Sequence, residues 1–407
     1  MESTYITAIH IKHVRHLREI QIPISAKTRK NLILTGKNGS GKTSVLKSLV
    51  LHLEYLVDDN SESNEYEKQI ADLQSKRLKD DAMEAQRKQL NRLKAYMKAL
   101  SCLWTDSNGV TIDFTSLDIM KEKYKNGEFI LAYYGDTRKI EVATSNNIEK
   151  IEFKPFYAIQ DVPSRDLSKY LVNLKTTQAF AQTSGDYEQA NQIKLWFQRF
   201  EEILREIYHN SSLELKFDIN TFRFSICMEG RDPFDFNTMS MGYAAVFEII
   251  GDLMMRMESK KRYDLEGIVL IDEIETHLHV ELQKEILPIL TRLFPNLQFI
   301  LTTHSPFILN SAKDSVVYDL EKQMLAANGL TNLSYSGIVE GYFDVDTLSQ
   351  ELRKNWDRYR DLIQRPVLSN PEEAEIAELE MYLDEIPDYL ALDFIDEYSR
   401  LKLEHHR

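Results

Sequence analysis

Two hydrophobic periods divide the chain into strand and helix segments. Residues 4–24 alternate, with Tyr5, Ile6, Ile9 and Ile11 followed by Ile20, Ile22 and Ile24, which predicts two short antiparallel strands joined by a turn. The next apolar run, Leu32, Ile33 and Leu34, leads into a glycine-rich segment, after which Val45, Leu46, Leu49 and Val50 fall on one helical face. From Asp58 to Leu100 the chain has no Pro and no Gly, and Leu90, Leu93, Met97 and Leu100 keep the spacing of a coiled-coil-like helix. An earlier stripe, Ile70 and Leu73, does not continue in register through Lys79, Asp80 and Asp81, so this stretch reads as two helices or as one with a stutter. It is either a solvated helical insertion or an arm that touches a partner.

Further along, Trp104 to Phe114 reads as a hairpin around Asp106-Ser107-Asn108-Gly109, and Phe129 to Tyr134 as a buried strand. Residues 164–208 read as mostly helical, with a core stripe of Trp196, Phe197, Phe200, Leu204 and Ile207. Leu213 to Met228 alternates again, as a strand pair around Asp218-Ile219-Asn220, and Ala244 to Met257 is a helical run. Ile268-Val269-Leu270-Ile271 is apolar throughout, as a central parallel strand covered on both faces would be, and Leu297 to Thr303 is a further strand. Beyond Pro371, Leu379, Leu383, Ile386, Leu390, Leu392 and Ile395 suggest amphipathic helices in a strongly acidic tail, a solvated cap or a docking surface for a basic partner. Strands that alternate with helices in this way predict an α/β fold.

The chemistry sits at the ends of the apolar runs. Gly36-Lys37-Asn38-Gly39-Ser40-Gly41-Lys42-Thr43 is G-x-x-x-x-G-K-[ST] between a strand and a helix, the setting a phosphate-binding loop requires. Gly36, Gly39 and Gly41 let the backbone curl so that successive N–H groups, with those of Asn38, Ser40 and Ser44, face a phosphate at a helix N-terminus. Lys42 would reach the β- and γ-phosphates of a nucleoside triphosphate, ATP, and the Thr43 hydroxyl would bind Mg2+. Asp272 and Glu273 follow the aliphatic strand: the first would hold Mg2+, the second would orient or deprotonate the attacking water. His304, at the end of the next strand, would sense the γ-phosphate. Ser240 and Gly242, just before a helix, make a second anion-accepting N-terminus. The His13, Arg15, His16 and Arg18 cluster reads first as a solvated face and second as a neighbour of the adenine or ribose.

Composition narrows the class. A chain of 407 residues with 43% hydrophobic content has room for two or three domains. With 50 Lys and Arg against 64 Asp and Glu, the net charge of −14 argues against a general DNA coat and confines any nucleic-acid contact to a local patch. Cys102 and Cys227 make neither a disulfide framework nor a metal cluster, and neither a membrane span nor an N-terminal signal peptide is expected, so the expectation is a cytoplasmic protein.

The order of motifs resembles an ABC-type ATPase head of the P-loop NTPase fold, in the branch that includes SMC, RecF and OLD-family proteins. Asp272-Glu273-Ile274-Glu275-Thr276-His277-Leu278-His279 is similar to the "DEPE.HLHP" stretch of the defence-associated AAA_15/AAA_21 ATPases, and Thr302-Thr303-His304-Ser305-Pro306-Phe307-Ile308-Leu309 to their "TTHSP.iL" stretch. The likeness spans residues 1–345. It divides the chain into a first part of the head with the P-loop (1–57), the helical insertion (58–101), the remainder of the head with its helical subdomain (102–345) and the acidic helical tail (346–407). Ser240-Met241-Gly242-Tyr243 departs from the S-G-G-Q of transporters, so Ser240 and Gly242 carry over and the rest does not. A Q-loop glutamine is not assigned; Gln160 matches by order alone, and Arg138 or Arg165 could equally approach phosphate. The TOPRIM nuclease of OLD proteins is not expected here, and Asp344-Val345-Asp346 matches its Asp-x-Asp only superficially. The resemblance implies an ATPase of a bacterial antiphage module of the PARIS, Septu or retron type, a homodimer through shared ATP sites and a partner of a separately encoded effector. DNA or a phage component is a further candidate partner. The alternative is a RecF/SMC-like DNA-repair or DNA-clamping ATPase; a transporter subunit is disfavoured by the altered loop and the early insertion.

Overall fold

The structure is a computed structural model that describes residues 3–58, 69, 87–93, 95, 109–136, 151–343, 348–365, 367–386 and 392–405. Two compact units, Met1–Tyr335 and Ser336–Arg407, divide it. Within the insertion residues 69, 87–93 and 95 are helical; Ile70, Leu73, Met97 and Leu100, with residues 104–108, Arg138 and Asp344–Asp346, lie outside the described residues.

The first unit is built on a six-stranded sheet ordered β12-β11-β3-β10-β9-β5. Its strands are β3 (Asn31–Thr35), β5 (Phe129–Tyr134), β9 (Glu266–Ile271), β10 (Leu297–Thr302), β11 (Ser315–Asp319) and β12 (Met324–Ala326). The first five run parallel and β12 returns antiparallel to β11. The aliphatic runs become its centre because helices and a second sheet take both faces out of water: every residue of β10 is buried, as are Gly267 to Ile271 in β9. That second sheet is antiparallel, β2-β1-β4, from β1 (Ile6–Val14), β2 (Leu17–Pro23) and β4 (Val110–Phe114). The first two strands pair across a tight turn as their alternation predicts, and β4 joins β1 on its other side. A buried polar side chain ties the two sheets together. Gln298, fully buried in β10, accepts from the Ile6 main-chain N–H at 2.7 Å and donates to the carbonyls of Ile6 and Lys30 at 3.0 and 2.8 Å.

Helix α1 (Lys42–Val57) packs between the sheets through Val45, Leu46, Leu49, Val50 and Leu53. After α2 (Leu117–Lys125), the helical lobe comprises α3 (Leu167–Ser184) and α4 (Tyr187–Tyr208), the latter started by Asp186, whose side chain accepts from the Gln189 N–H. A three-stranded sheet, β6 (Glu214–Asp218), β7 (Arg223–Met228) and β8 (Arg231–Phe234), follows it. Phe197, Phe200, Leu204 and Ile207 are buried as their stripe predicts. Trp196 does more than fill space: its indole N–H donates to the Tyr263 hydroxyl at 2.6 Å. Helix α5 (Met241–Glu258) packs beside β5, and α6 (Val280–Leu293) and α7 (Pro306–Ser311) link β9 to β10 and β10 to β11.

The second unit contains α8 (Gln350–Ile363), α9 (Asn370–Asp384) and α10 (Leu392–His405), whose apolar faces close on Trp356, Tyr359, Leu362, Ile376, Leu383 and Tyr398. No helix among the described residues is long and apolar enough to cross a membrane.

Candidate nucleotide-binding site

Strand order assembles the site. Because β10 lies between β3 and β9, the glycine loop, His304 and the Asp272-Glu273 pair all emerge at the carboxyl ends of adjacent parallel strands, where ligands bind in open α/β sheets.

The loop has the curl its glycines imply. Gly36, Gly39 and Gly41 have φ of 134°, 86° and 98°, a region open to glycine and strained for other residues, and a Cβ on Gly36 would lie 2.9 Å from the Ser40 hydroxyl. Asn38 and Gly39 are exposed, Ser40 and Lys42 are buried, and Thr43 and Ser44 are half-buried. The Lys42 ammonium lies across the loop, donating to the Gly36 and Lys37 carbonyls at 2.9 and 3.1 Å and to the Ser40 hydroxyl at 3.4 Å. Burial draws its pKa below the usual lysine value, and the negative charges of Glu273, Glu275, Asp272 and Asp319 partly oppose this.

The acids are held from two sides. Asp272 is fully buried; its Oδ1 accepts from the Thr43 hydroxyl at 3.2 Å and from the Thr302 hydroxyl at 2.6 Å. Thr302 accepts in turn from the Glu273 N–H at 2.7 Å, so one hydroxyl on β10 fixes both members of the pair. Glu273 has a left-handed backbone, φ 44°, which swings the chain away from the strand direction at the carboxylate. His304 follows the same strand, its main-chain N–H donating to Glu275 Oε1 at 2.5 Å. Burial and the Lys42 charge hold the imidazole below the ordinary histidine pKa, against the pull of Glu275, Glu273 and Asp272, so it is neutral at pH 7.

The other predicted residues lie at the start of α5. Ser240 is exposed at the N-cap position and its side chain makes no capping hydrogen bond, Met241 is 65% exposed, and Gly242 is buried so tightly that a Cβ would meet the His277 carbonyl at 2.8 Å. Gln160 is exposed and donates to Glu54 Oε1 at 2.8 Å. The His13–Arg18 cluster is exposed apart from buried Val14 and Leu17, yet the hairpin it caps touches the loop: a Cβ on Gly41 would meet Leu17 Cδ1 at 3.0 Å and His16 Cε1 at 3.8 Å.

Sequence reasoning missed Thr302, Glu275 and the buried Asp252–Arg256 pair in the body of α5. Arg256 Nε donates to Asp252 Oδ2 at 2.7 Å, and its guanidinium also reaches the carbonyls of Leu131, Ala158 and Asp161 at 3.0, 3.1 and 2.5 Å. Asp252 accepts from the Tyr134 hydroxyl at 2.7 Å, and the Tyr134 carbonyl accepts from the Asp272 N–H at 2.8 Å. The only signal in the sequence was the four-residue spacing of Asp252 and Arg256, which exposed helices share.

The residues fit a magnesium nucleotide. Hydroxyl and carboxylate oxygens suit a hard cation, and Thr43 and Asp272 bring one of each within 3.2 Å. Among the described residues no group of three or more His, Cys, Asp or Glu could hold a metal unaided, so a cation held by Thr43 and Asp272 would need further ligands from outside the chain.

A phosphate loop on the first parallel strand, an acid pair two strands away and a histidine strand between them define the class: this is a P-loop NTPase fold. The narrower grouping comes from sequence. Residues 129–310 match the AAA_21 family model, described as "AAA domain, putative AbiEii toxin, Type IV TA system". It is 26% identical over 405 residues to the Septu protein PtuA of Bacillus mycoides (strain KBAB4), covering 95% of this chain and 51% of that one. It is 33% identical over 133 residues to the Retron Ec83 probable ATPase of Escherichia coli, covering 31% of this chain and 24% of that protein. The chain thus spans about half the length of the first relative and a quarter of the second. The SMC head domain from Thermotoga maritima superposes with a TM-score of 0.36 at 12% identity, covering 77% of this chain and 94% of that one.

Proposed function

We propose that the chain binds and hydrolyses ATP and acts in antiphage defence as a nucleotide-dependent sensor or regulator of a separately encoded effector, a nuclease or toxin. The observation that carries the ATPase reading is Asp272: its carboxylate is bonded by the first turn of the P-loop helix and by the histidine strand, with Glu273 as the next residue. In this reading Lys42 leaves the loop carbonyls for the β- and γ-phosphates, an exchange its buried and partly compensated charge supports. Thr43 and Asp272 would hold Mg2+, which would supply charge neutralisation at the phosphates. Glu273 takes the proton from the attacking water, and the His304 imidazole can donate an N–H towards the γ-phosphate.

The defence reading rests on the similarity to the Septu and retron proteins. One P-loop and one Ser240–Gly242 helix start per chain, with Ser240 and Met241 exposed at the latter, support a homodimer in which each ATP lies between the loop of one copy and the α5 start of the other. Hydrolysis would loosen the pair and release or activate the effector. No described feature favours the DNA-clamping alternative, and the net charge of −14 counts against it.

The test is a pair of variants. Lys42→Ala should abolish ATP binding. Glu273→Gln should keep binding and lower hydrolysis by about a hundredfold or more, the contribution of a positioned general base. A Glu273→Gln protein that turns over at the wild-type rate would remove the catalytic assignment.

A further inference from the structure

The turn after β9 carries three acids, and the reading above uses only Asp272 and Glu273. Glu275 has a defined place of its own. One of its oxygens, Oε1, accepts the His304 main-chain N–H at 2.5 Å, a bond from the acidic turn to the residue that follows the neighbouring strand. Its other oxygen is buried and makes no hydrogen bond among the described residues. A carboxylate oxygen out of water without a donor is unfavourable, so this side chain is a poor choice if stability alone decides the position.

The rest of the local bonding locates what the contact does. Glu273 N–H and Ile274 N–H donate to the Thr302 hydroxyl and carbonyl at 2.7 and 3.2 Å, and Thr303 N–H donates to the Leu34 carbonyl at 3.1 Å. These bonds fix the last residues of β10. On the far side Ser305 begins α7, its N–H donating to the Thr303 hydroxyl at 2.9 Å and its hydroxyl to Gln283 at 2.6 Å. His304 lies between these two anchored segments, past the end of the sheet ladder, and Glu275 is the side chain that grips its main chain.

We propose that Glu275 is a positioning residue for His304: the carboxylate fixes the His304 main chain, and through it the direction of the imidazole beside Lys42. The inference rests on the ATPase reading for its kinetic consequence but not for its geometry. Glu275→Ala frees the His304 N–H and should lower kcat at least tenfold while ATP affinity and the melting temperature stay near wild type. Glu275→Gln keeps an acceptor at the same reach and should recover most of that rate. If Glu275 acts through His304, adding Glu275→Ala to His304→Ala should cost no further activity. Additive losses, or a Glu275→Gln protein as slow as Glu275→Ala, would overturn the assignment, the latter by giving the role to the charge. A wild-type chain that hydrolyses no ATP would remove the ATPase reading alone. The positioning would then be decided by the His304 Cε1–H resonance in the full chain, identified by its loss in His304→Ala. That resonance should move in Glu275→Ala and stay in Glu275→Gln, and no movement in either would refute the contact's role.

Discussion

Two helices begin at segments whose small residues suit an anion, and the molecule treats them in opposite ways. The start of α1 is enclosed by its own chain. Gly41 is packed under Leu17, Lys42 is 5% exposed, and Thr43 is bonded to Asp272, the residue that follows β9. The start of α5 faces solvent at Ser240 and Met241, and only Gly242 is pressed inward, against the His277 carbonyl. The local chemistry of the two segments is similar; what differs is the set of groups that the sheet order brings to each. One is furnished with cation, acid and hydroxyl from this chain, and the other leaves Ser240 and Met241 exposed without such partners, the arrangement on which the proposed shared site rests.

That outward end can be rigid only if the body of α5 is held, and the largest expected effect tests this. Asp252 and Arg256 are 0% and 4% exposed, so Arg256→Ala leaves a buried carboxylate whose cation is gone. The loss should be about 3–5 kcal/mol in denaturant unfolding. Arg358, paired with Glu375 at 2.7 Å on the exposed surface of the second unit, offers the contrast: Arg358→Ala should leave the unfolding midpoint nearly unchanged. Equal losses at the two sites would mean that the α5 pair is not the clamp its burial implies.

A smaller effect, on activity alone, is expected at the start of α5. Ser240→Arg should leave ATP binding and the melting temperature intact and lower hydrolysis by about tenfold, the size of a misplaced transition-state contact. Mixing Ser240→Arg with Lys42→Ala chains puts both lesions on one composite site of a mixed dimer and leaves the other site whole, so part of the activity should return. Confirmed mixed dimers without recovery would mean that each site works within one chain or that both must fire together.

The features that could be read from the sequence were those whose chemistry is local. The curl at Gly36, Gly39 and Gly41, the buried runs of β9 and β10, and the acids and histidine that follow them needed no knowledge of which strand lies beside which. Thr302 and Glu275 were hidden for that reason. A threonine ending a strand and a glutamate in a turn are ordinary residues until β10 is seen to lie against β9, where one hydroxyl meets Asp272 and Glu273 and one carboxylate meets His304. The Asp252–Arg256 spacing was visible, but burial, which separates a clamp from a solvated pair, is a property of the packed helix. The second arm expected of the Trp104–Phe114 hairpin is β4, and its pairing with β1, far away in sequence, could not be read from the local pattern.

The contrast between the two helices extends along their bodies and predicts the smallest effect. Helix α5 buries a charged pair, and α1 buries His52, 7% exposed, whose pKa is lowered to about 4 by desolvation. In the unfolded chain this histidine takes up its proton near pH 6.5, and in the folded chain only near pH 4. The unfolded state therefore binds more protons throughout that window. Stability is complete above it and is lost progressively as the pH falls from 6.5 towards 4. Between about pH 7 and pH 5.5 this group alone should remove roughly 1 kcal/mol. His52→Gln keeps a polar side chain of similar reach but cannot take up the proton. It should lower stability at pH 7 modestly and flatten the fall between pH 6.5 and 5.5 in denaturant unfolding. An unchanged slope in His52→Gln would place the acid sensitivity elsewhere and remove this distinction between the bodies of α1 and α5.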